Sequence, residues 1–123
     1  MDGSIEVTVG RLGSVPTVTV VGEIDVTTAP ELRSALLGLA TAAEPTVIVD
    51  LRSVTFLDST ALGVLVGTHK QCRELGGELR LVVSEPRILK IFEITGLTEV
   101  FTITAAPDPT APDSTAPDGV SRN

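Results

Sequence analysis

The hydrophobic pattern of this chain changes period along its length, and that change decides the fold class. Ile5, Val7 and Val9 alternate with polar residues, and after Gly13 the run Val15 to Val21 reads as a second strand. A period of two sends successive side chains to opposite faces, so the two runs predict an N-terminal hairpin with one face toward a core. Thr28-Ala29-Pro30-Glu31 follows, a capping-box pattern with proline inside the first helical turn. Leu32, Leu36, Leu39 and Ala43 come at spacings of four, three and four. That spacing predicts a helix with one buried stripe, ended by Pro45.

Thr46 to Leu51 is a largely β-branched run without alternation, the pattern of a strand buried on both faces. A second helix starts near Asp58-Ser59-Thr60, turns Leu62, Leu65, Val66 and Cys72 inward, and stops at Gly76-Gly77. Leu79 to Val83 reads as a strand. Ser84-Glu85-Pro86 opens a third helix carrying Ile88, Ile91, Phe92 and Thr95, closed by Gly96, and Val100 to Ile103 is a last short strand. Two strands followed by helices and strands in alternation imply an α/β domain: a mixed β-sheet with helices packed against it and right-handed crossovers. The folded domain spans residues 1–105. Beyond it, three Ala-Pro-Asp triplets begin at Ala106, Ala111 and Ala116. Such a segment has too little apolar surface to offset its ordering entropy, so 106–123 reads as a disordered Pro/Asp-rich tail.

Charge and composition remove several function classes. The net charge of −7, with no Trp, no Tyr and three Phe, disfavours a nucleic-acid partner, which needs cations for phosphates and aromatic rings for bases. No apolar stretch approaches the roughly 20 residues of a membrane helix, and no basic start followed by an apolar run marks a secretory signal. The chain therefore reads as soluble and cytoplasmic. Cys72 is the single cysteine, which excludes an internal disulfide or a thiolate metal cluster, and no cofactor or metal motif appears. It fits a small apolar core residue. His69 is the single histidine and has no visible catalytic partner.

Asp58-Ser59-Thr60 is the group that carries chemistry. Its plainest role is a helix N-cap, since short oxygen-bearing side chains satisfy the orphan amides there. Two large apolar residues, Phe56 and Leu57, stand just before it. If they are exposed, the junction of strand and helix becomes an interaction surface. A phosphate on Ser59 would meet free amides and the positive end of the helix dipole. Asp25 and Asp50 stand at loop ends, where paired carboxylates could serve acid–base work, although such residues are usually turn and cap residues.

The sequence also resembles a known family. Gly22-Glu23-Ile24-Asp25 resembles the junction between second strand and first helix in STAS domains. Phe56-Leu57-Asp58-Ser59-Thr60-Ala61-Leu62-Gly63 resembles the phosphorylation signature of the bacterial anti-sigma factor antagonists within that family. Leu75-Gly76-Gly77, Ile88-Leu89-Lys90-Ile91-Phe92 and Thr95-Gly96-Leu97 follow in the same order, so the resemblance covers roughly residues 5 to 104. It implies a partner-switching regulator and not an enzyme. The unphosphorylated form would bind an anti-sigma factor that is also a serine kinase, releasing the sigma factor. Phosphorylation at Ser59 would dissociate the complex, and a serine phosphatase would restore it. By the same resemblance the partner-binding surface comprises Asp25, Val26, Thr27 and Thr28 together with Phe56, Leu57, Asp58, Ser59, Thr60, Ala61 and Leu62. Ala61 stands where the family often has Gly, which would set a methyl group against a closely approaching partner. Family members commonly close with a final amphipathic helix, which Pro107, Pro109, Pro112 and Pro117 forbid here, so either the domain manages without it or the tail has another role, such as a spacer.

Two other readings remain at this point. One is a STAS scaffold, or a soluble subunit of a transport system, that phosphorylation does not switch. The other is a small hydrolase using Asp25, Asp50 or His69.

Overall fold

The computed structural model describes residues 4–107. In chain order it holds β1 (Ile5–Leu12), β2 (Val15–Ile24), α1 (Ala29–Leu36), β3 (Val47–Leu57), α2 (Ser59–Glu74), β4 (Leu79–Val82), α3 (Pro86–Ile94), a 3-10 turn at Leu97–Glu99 and β5 (Thr102–Thr104). The five strands lie in the order β1-β2-β3-β4-β5, with β1 antiparallel to β2 and every other pair parallel. Each parallel step moves the same way across the sheet, so right-handed crossovers put all three helices on one face. The mixed α/β architecture is the one the alternating periods imply.

The core fills that face. Val18, Val20, Val49, Leu51, Leu79 and Leu81 from the sheet cluster with Leu32, Leu36, Leu65, Cys72, Ile88 and Phe92 from the helices. Cys72 is fully buried, and burial pushes its thiol pKa up. Ile48 and Val82 are buried outside this cluster, on the opposite face of the sheet. They lie between two ion pairs, Arg52–Asp50 and Arg80–Glu78, each at 2.8 Å. Burial alone would raise the pKa of Asp50. Hydrogen bonds and charge from Arg52 outweigh that and hold it below the ordinary carboxylate value.

Several boundaries differ from the sequence reading, among them the end of β2, which runs to Ile24 and not to Val21. Helix α1 ends at Leu36, nine residues before Pro45. Leu37 is extended (ψ 123°) and Gly38 takes φ +82°, a left-handed turn that glycine adopts without a Cβ penalty. Leu39 is therefore only partly buried, Ala43 is exposed, and Thr41 and Glu44 close a reciprocal backbone turn at 3.0 and 3.1 Å. In α2, Leu62 and Val66 are only partly buried, while Ala61, Val64 and His69 take the inner positions. Strand β3 runs on to Leu57, still paired with β2, while its burial changes to every third residue at Leu51, Val54 and Leu57. Its register against β2 slips between Thr19 and Val21 and again between Gly22 and Glu23. Each slip adds a residue to β3 and bends the strand. The last strand begins at Thr102 because the 3-10 turn takes up the residues before it. The tail read from the sequence lies, from residue 108 onward, outside the described residues.

Gly22 makes the bend possible. It has φ +118°, and a Cβ built there would stand 2.6 Å from the carbonyl oxygen of Ser4, the residue just before β1. Gly22→Ala combines a disfavoured dihedral with a backbone clash, so it should lower the unfolding free energy by at least ~1–3 kcal/mol in denaturant titration. Unchanged stability would mean that β1 yields freely at this point.

His69 ties α2 to β4. Its Nδ1 accepts the Leu79 backbone N–H at 3.1 Å, and its ring meets Phe101 edge to face at 5.3 Å between centroids. Burial, with a further contribution from Arg73 and against an opposing one from Glu78, lowers its pKa from the ordinary 6.5. The unfolded chain therefore takes up a proton first as the pH falls. The stability due to neutral His69 is complete above about pH 6.5 and is lost between that value and the lower folded pKa. Thermal melts between pH 7.5 and 5 should show this loss in the wild type and a flatter profile in His69→Gln, which has no titrating group.

Candidate functional site

The site forms where two neighbouring parallel strands end side by side. At the end of β3, Asp58 has an extended backbone (φ −117°, ψ −172°), and its N–H donates to the Ile24 carbonyl at 3.2 Å, fastening the two strand ends together. Its Oδ1 accepts the N–H groups of Thr60 at 2.9 Å and Ala61 at 3.1 Å, capping α2. At the end of β2, Asp25 repeats the arrangement. Its Oδ1 accepts the N–H groups of Thr27 at 2.9 Å and Thr28 at 3.0 Å, and its carbonyl accepts from Ala29 at 2.8 Å. Each aspartate thus takes the amides two and three residues ahead of it.

The expected capping box at Thr28 does not form. Its side chain makes no cap bond to the helix. The hydroxyl turns inward, donating to the Glu23 carbonyl at 2.7 Å and accepting from the Asp25 N–H at 2.9 Å. Asp25 instead orders the turn that leads into α1, taking the Thr27 and Thr28 amides with its carboxylate and the Ala29 amide with its carbonyl; it stands four residues before α1, whereas Asp58 stands immediately before α2.

These caps settle which side chains face outward. Ser59 is the first residue of α2 and is exposed, as are Thr60 and Thr27. Val26 is 69% exposed and Phe56 48%, a large apolar contribution from residues on either side of the two aspartates. Asp25, Asp58 and Leu62 are partly exposed. Three residues assigned to this surface by resemblance lie inside the fold: Thr28, Leu57 and Ala61 are 2%, 3% and 0% exposed. The Ala61 methyl group packs into the core under the first turn of α2 and does not face an approaching molecule. The amides expected to be free for a phosphate also differ, since Asp58 already occupies those of Thr60 and Ala61.

The residues of the hydrolase reading are not brought together. Asp50 lies within β3 opposite Thr19, six residues before Asp25, and is engaged by Arg52. His69 is in the core, bonded to Leu79. Among the described residues, no group of three His, Cys, Asp or Glu side chains is placed to hold a metal ion. None of their helices is long and apolar enough to cross a membrane.

Comparison with known proteins agrees with this geometry. Residues 6–109 match the STAS domain family. The anti-sigma-B factor antagonist of Bacillus subtilis (strain 168) is 43% identical over 88 residues, which is 72% of this chain and 80% of that protein. The protein of the same name from Listeria monocytogenes is 40% identical over 84 residues, 68% of this chain and 74% of that one. The crystal structure of an anti-sigma factor antagonist from Mycobacterium paratuberculosis superposes with a TM-score of 0.75 at 30% identity, covering 83% of this chain and 86% of that one. With a sheet of the same architecture, the same extent of chain and relatives at this level of identity, the protein belongs to the STAS domain family.

Proposed function

We propose that this chain is an anti-sigma factor antagonist whose partner is an anti-sigma factor with serine kinase activity, and that Ser59 is the phosphorylated residue. The observation that carries the reading is the placement of Ser59. It is an exposed hydroxyl at the start of α2, beside a capping aspartate, where the ends of β2 and β3 also carry the exposed apolar residues Val26 and Phe56. Relatives at 40–43% identity bear the name of such antagonists. Val26, Thr27, Phe56, Ser59 and Thr60, with the rims of Asp25, Asp58 and Leu62, form the surface that meets the kinase. In this role the chain is a substrate and a regulator and catalyses nothing itself.

The switch follows from charge. The kinase would transfer the γ-phosphoryl group of ATP to Ser59 Oγ: the new O–P bond forms, the bond to the ADP oxygen breaks, and the hydroxyl proton leaves. A serine phosphatase acting on phospho-Ser59 would reverse the change by hydrolysis. The phosphate adds about −1.5 to −2 charge. It arrives next to Asp58, whose carboxylate already takes the Thr60 and Ala61 amides, so it stands outward toward the partner. On a contact shaped for a hydroxyl, this charge must be desolvated against the partner surface. A loss of ~3–4 kcal/mol there lowers affinity by two to three powers of ten.

Pull-downs from the native host with the wild type, Ser59→Ala and Ser59→Asp as baits test the reading. The wild type and Ser59→Ala should retain an ATP-binding kinase-like protein that Ser59→Asp retains weakly and the phosphorylated chain does not. Equal retention by all four would make Ser59 a helix residue only and would favour the scaffold.

A further inference from the structure

The groove between α1 and α2 is a second surface, independent of the Ser59 reading, and we propose that a second copy of this chain occupies it in a symmetric dimer. Gly63 and Gly67 form its floor, one turn apart on the exposed side of α2, and a Cβ added at either would meet nothing within 4 Å. Glycine in a helix interior is less stable than alanine there, and no contact among the described residues requires it. The walls are Arg33 from α1, Leu37 just past its end and Gln71 from α2, and the groove continues past Gln71 to Glu74 and Leu75. Leu37 is 71% exposed and Leu75 40%, so apolar surface lies open along this side.

The charges select the occupant. Arg33 stands at the Gly63 end and Glu74 at the Leu75 end, and neither has an ion-pair partner among the described residues. A groove with a cation at one end, an anion at the other and apolar side chains between them is its own complement under a two-fold axis. With the axis near Gly67, Arg33 of each copy meets Glu74 of the other, and each Leu37 enters the opposite glycine floor. A partner of uniform charge would match one end and oppose the other. The centre of the contact lies eight residues along α2 from Ser59, roughly 12 Å at 1.5 Å per residue.

Sedimentation equilibrium on the full unphosphorylated chain, with no other protein present, tests this. The 12.8 kDa monomer should give way to a species of twice that mass as concentration rises. Arg33→Glu and Glu74→Arg each disturb two pairs per dimer, so each should raise the dissociation constant about tenfold. The double variant Arg33→Glu/Glu74→Arg should recover most of the loss. Gly67→Leu, which fills the floor, should abolish the dimer while circular dichroism melts show the domain still folded. A monomer at every concentration overturns the proposal, as does a dimer indifferent to these changes or a double variant no better than the singles. None of these outcomes depends on Ser59 or its kinase.

Discussion

The pairing of β2 with β3 is the constraint on which the rest of this structure depends. Both strands are parallel and central, and between Thr19 and Ile24 β3 gains two residues on its neighbour. An extra residue bends and twists a strand, and two in succession carry the end of β3 around until the Asp58 N–H reaches the Ile24 carbonyl. That bond places the starts of α1 and α2 side by side. It also explains why Gly22 cannot carry a side chain. The bend brings its Cα against the backbone of β1, where the Ser4 carbonyl occupies the space of a Cβ.

Much of the fold was legible because burial writes a period into the sequence. The hairpin, the doubly buried run after Pro45 and the starts of all three helices follow from that period and from cap residues. It failed where another force set the boundary. Leu39 and Ala43 continue the helical spacing of Leu32 and Leu36, yet the chain leaves the helix at Leu37 to return to the sheet in time for Val47. Burial at Leu51, Val54 and Leu57 fits neither a strand nor a helix period, since a bulged strand has its own local spacing. The sequence reading therefore stops the strand at Leu51, although this stretch is the end of the longest strand.

The site was legible in its residues and less so in their directions. Asp25, Asp58 and Ser59 come from the local motifs and the family resemblance. Those cues cannot show that Thr28, Leu57 and Ala61 turn inward, because orientation depends on the rotation of each helix about its axis. The Asp58 cap fixes that rotation for α2. With the amides of Thr60 and Ala61 tied to its carboxylate, Ala61, Leu65 and Cys72 follow at helical spacing along the core side. Ser59, two residues before Ala61, is then about 160° around the helix and faces outward.

This division of labour bears on how a charge at Ser59 can act. A helix N-terminus normally offers unpaired amides that can absorb an added phosphate within the fold. Here Asp58 holds two of them, those of Thr60 and Ala61, and Asp25 holds the Thr27 and Thr28 amides of the turn before α1, so these four donors around the two strand ends are already committed to carboxylates. A phosphate at Ser59 adds charge beside the Asp58 cap without gaining its amides. Its cost therefore falls on whatever surface is pressed against it and not on the packing beneath. The same aspartates that order the strand ends also make the added charge an external signal, and the buried face of α2 need not move for that signal to be read.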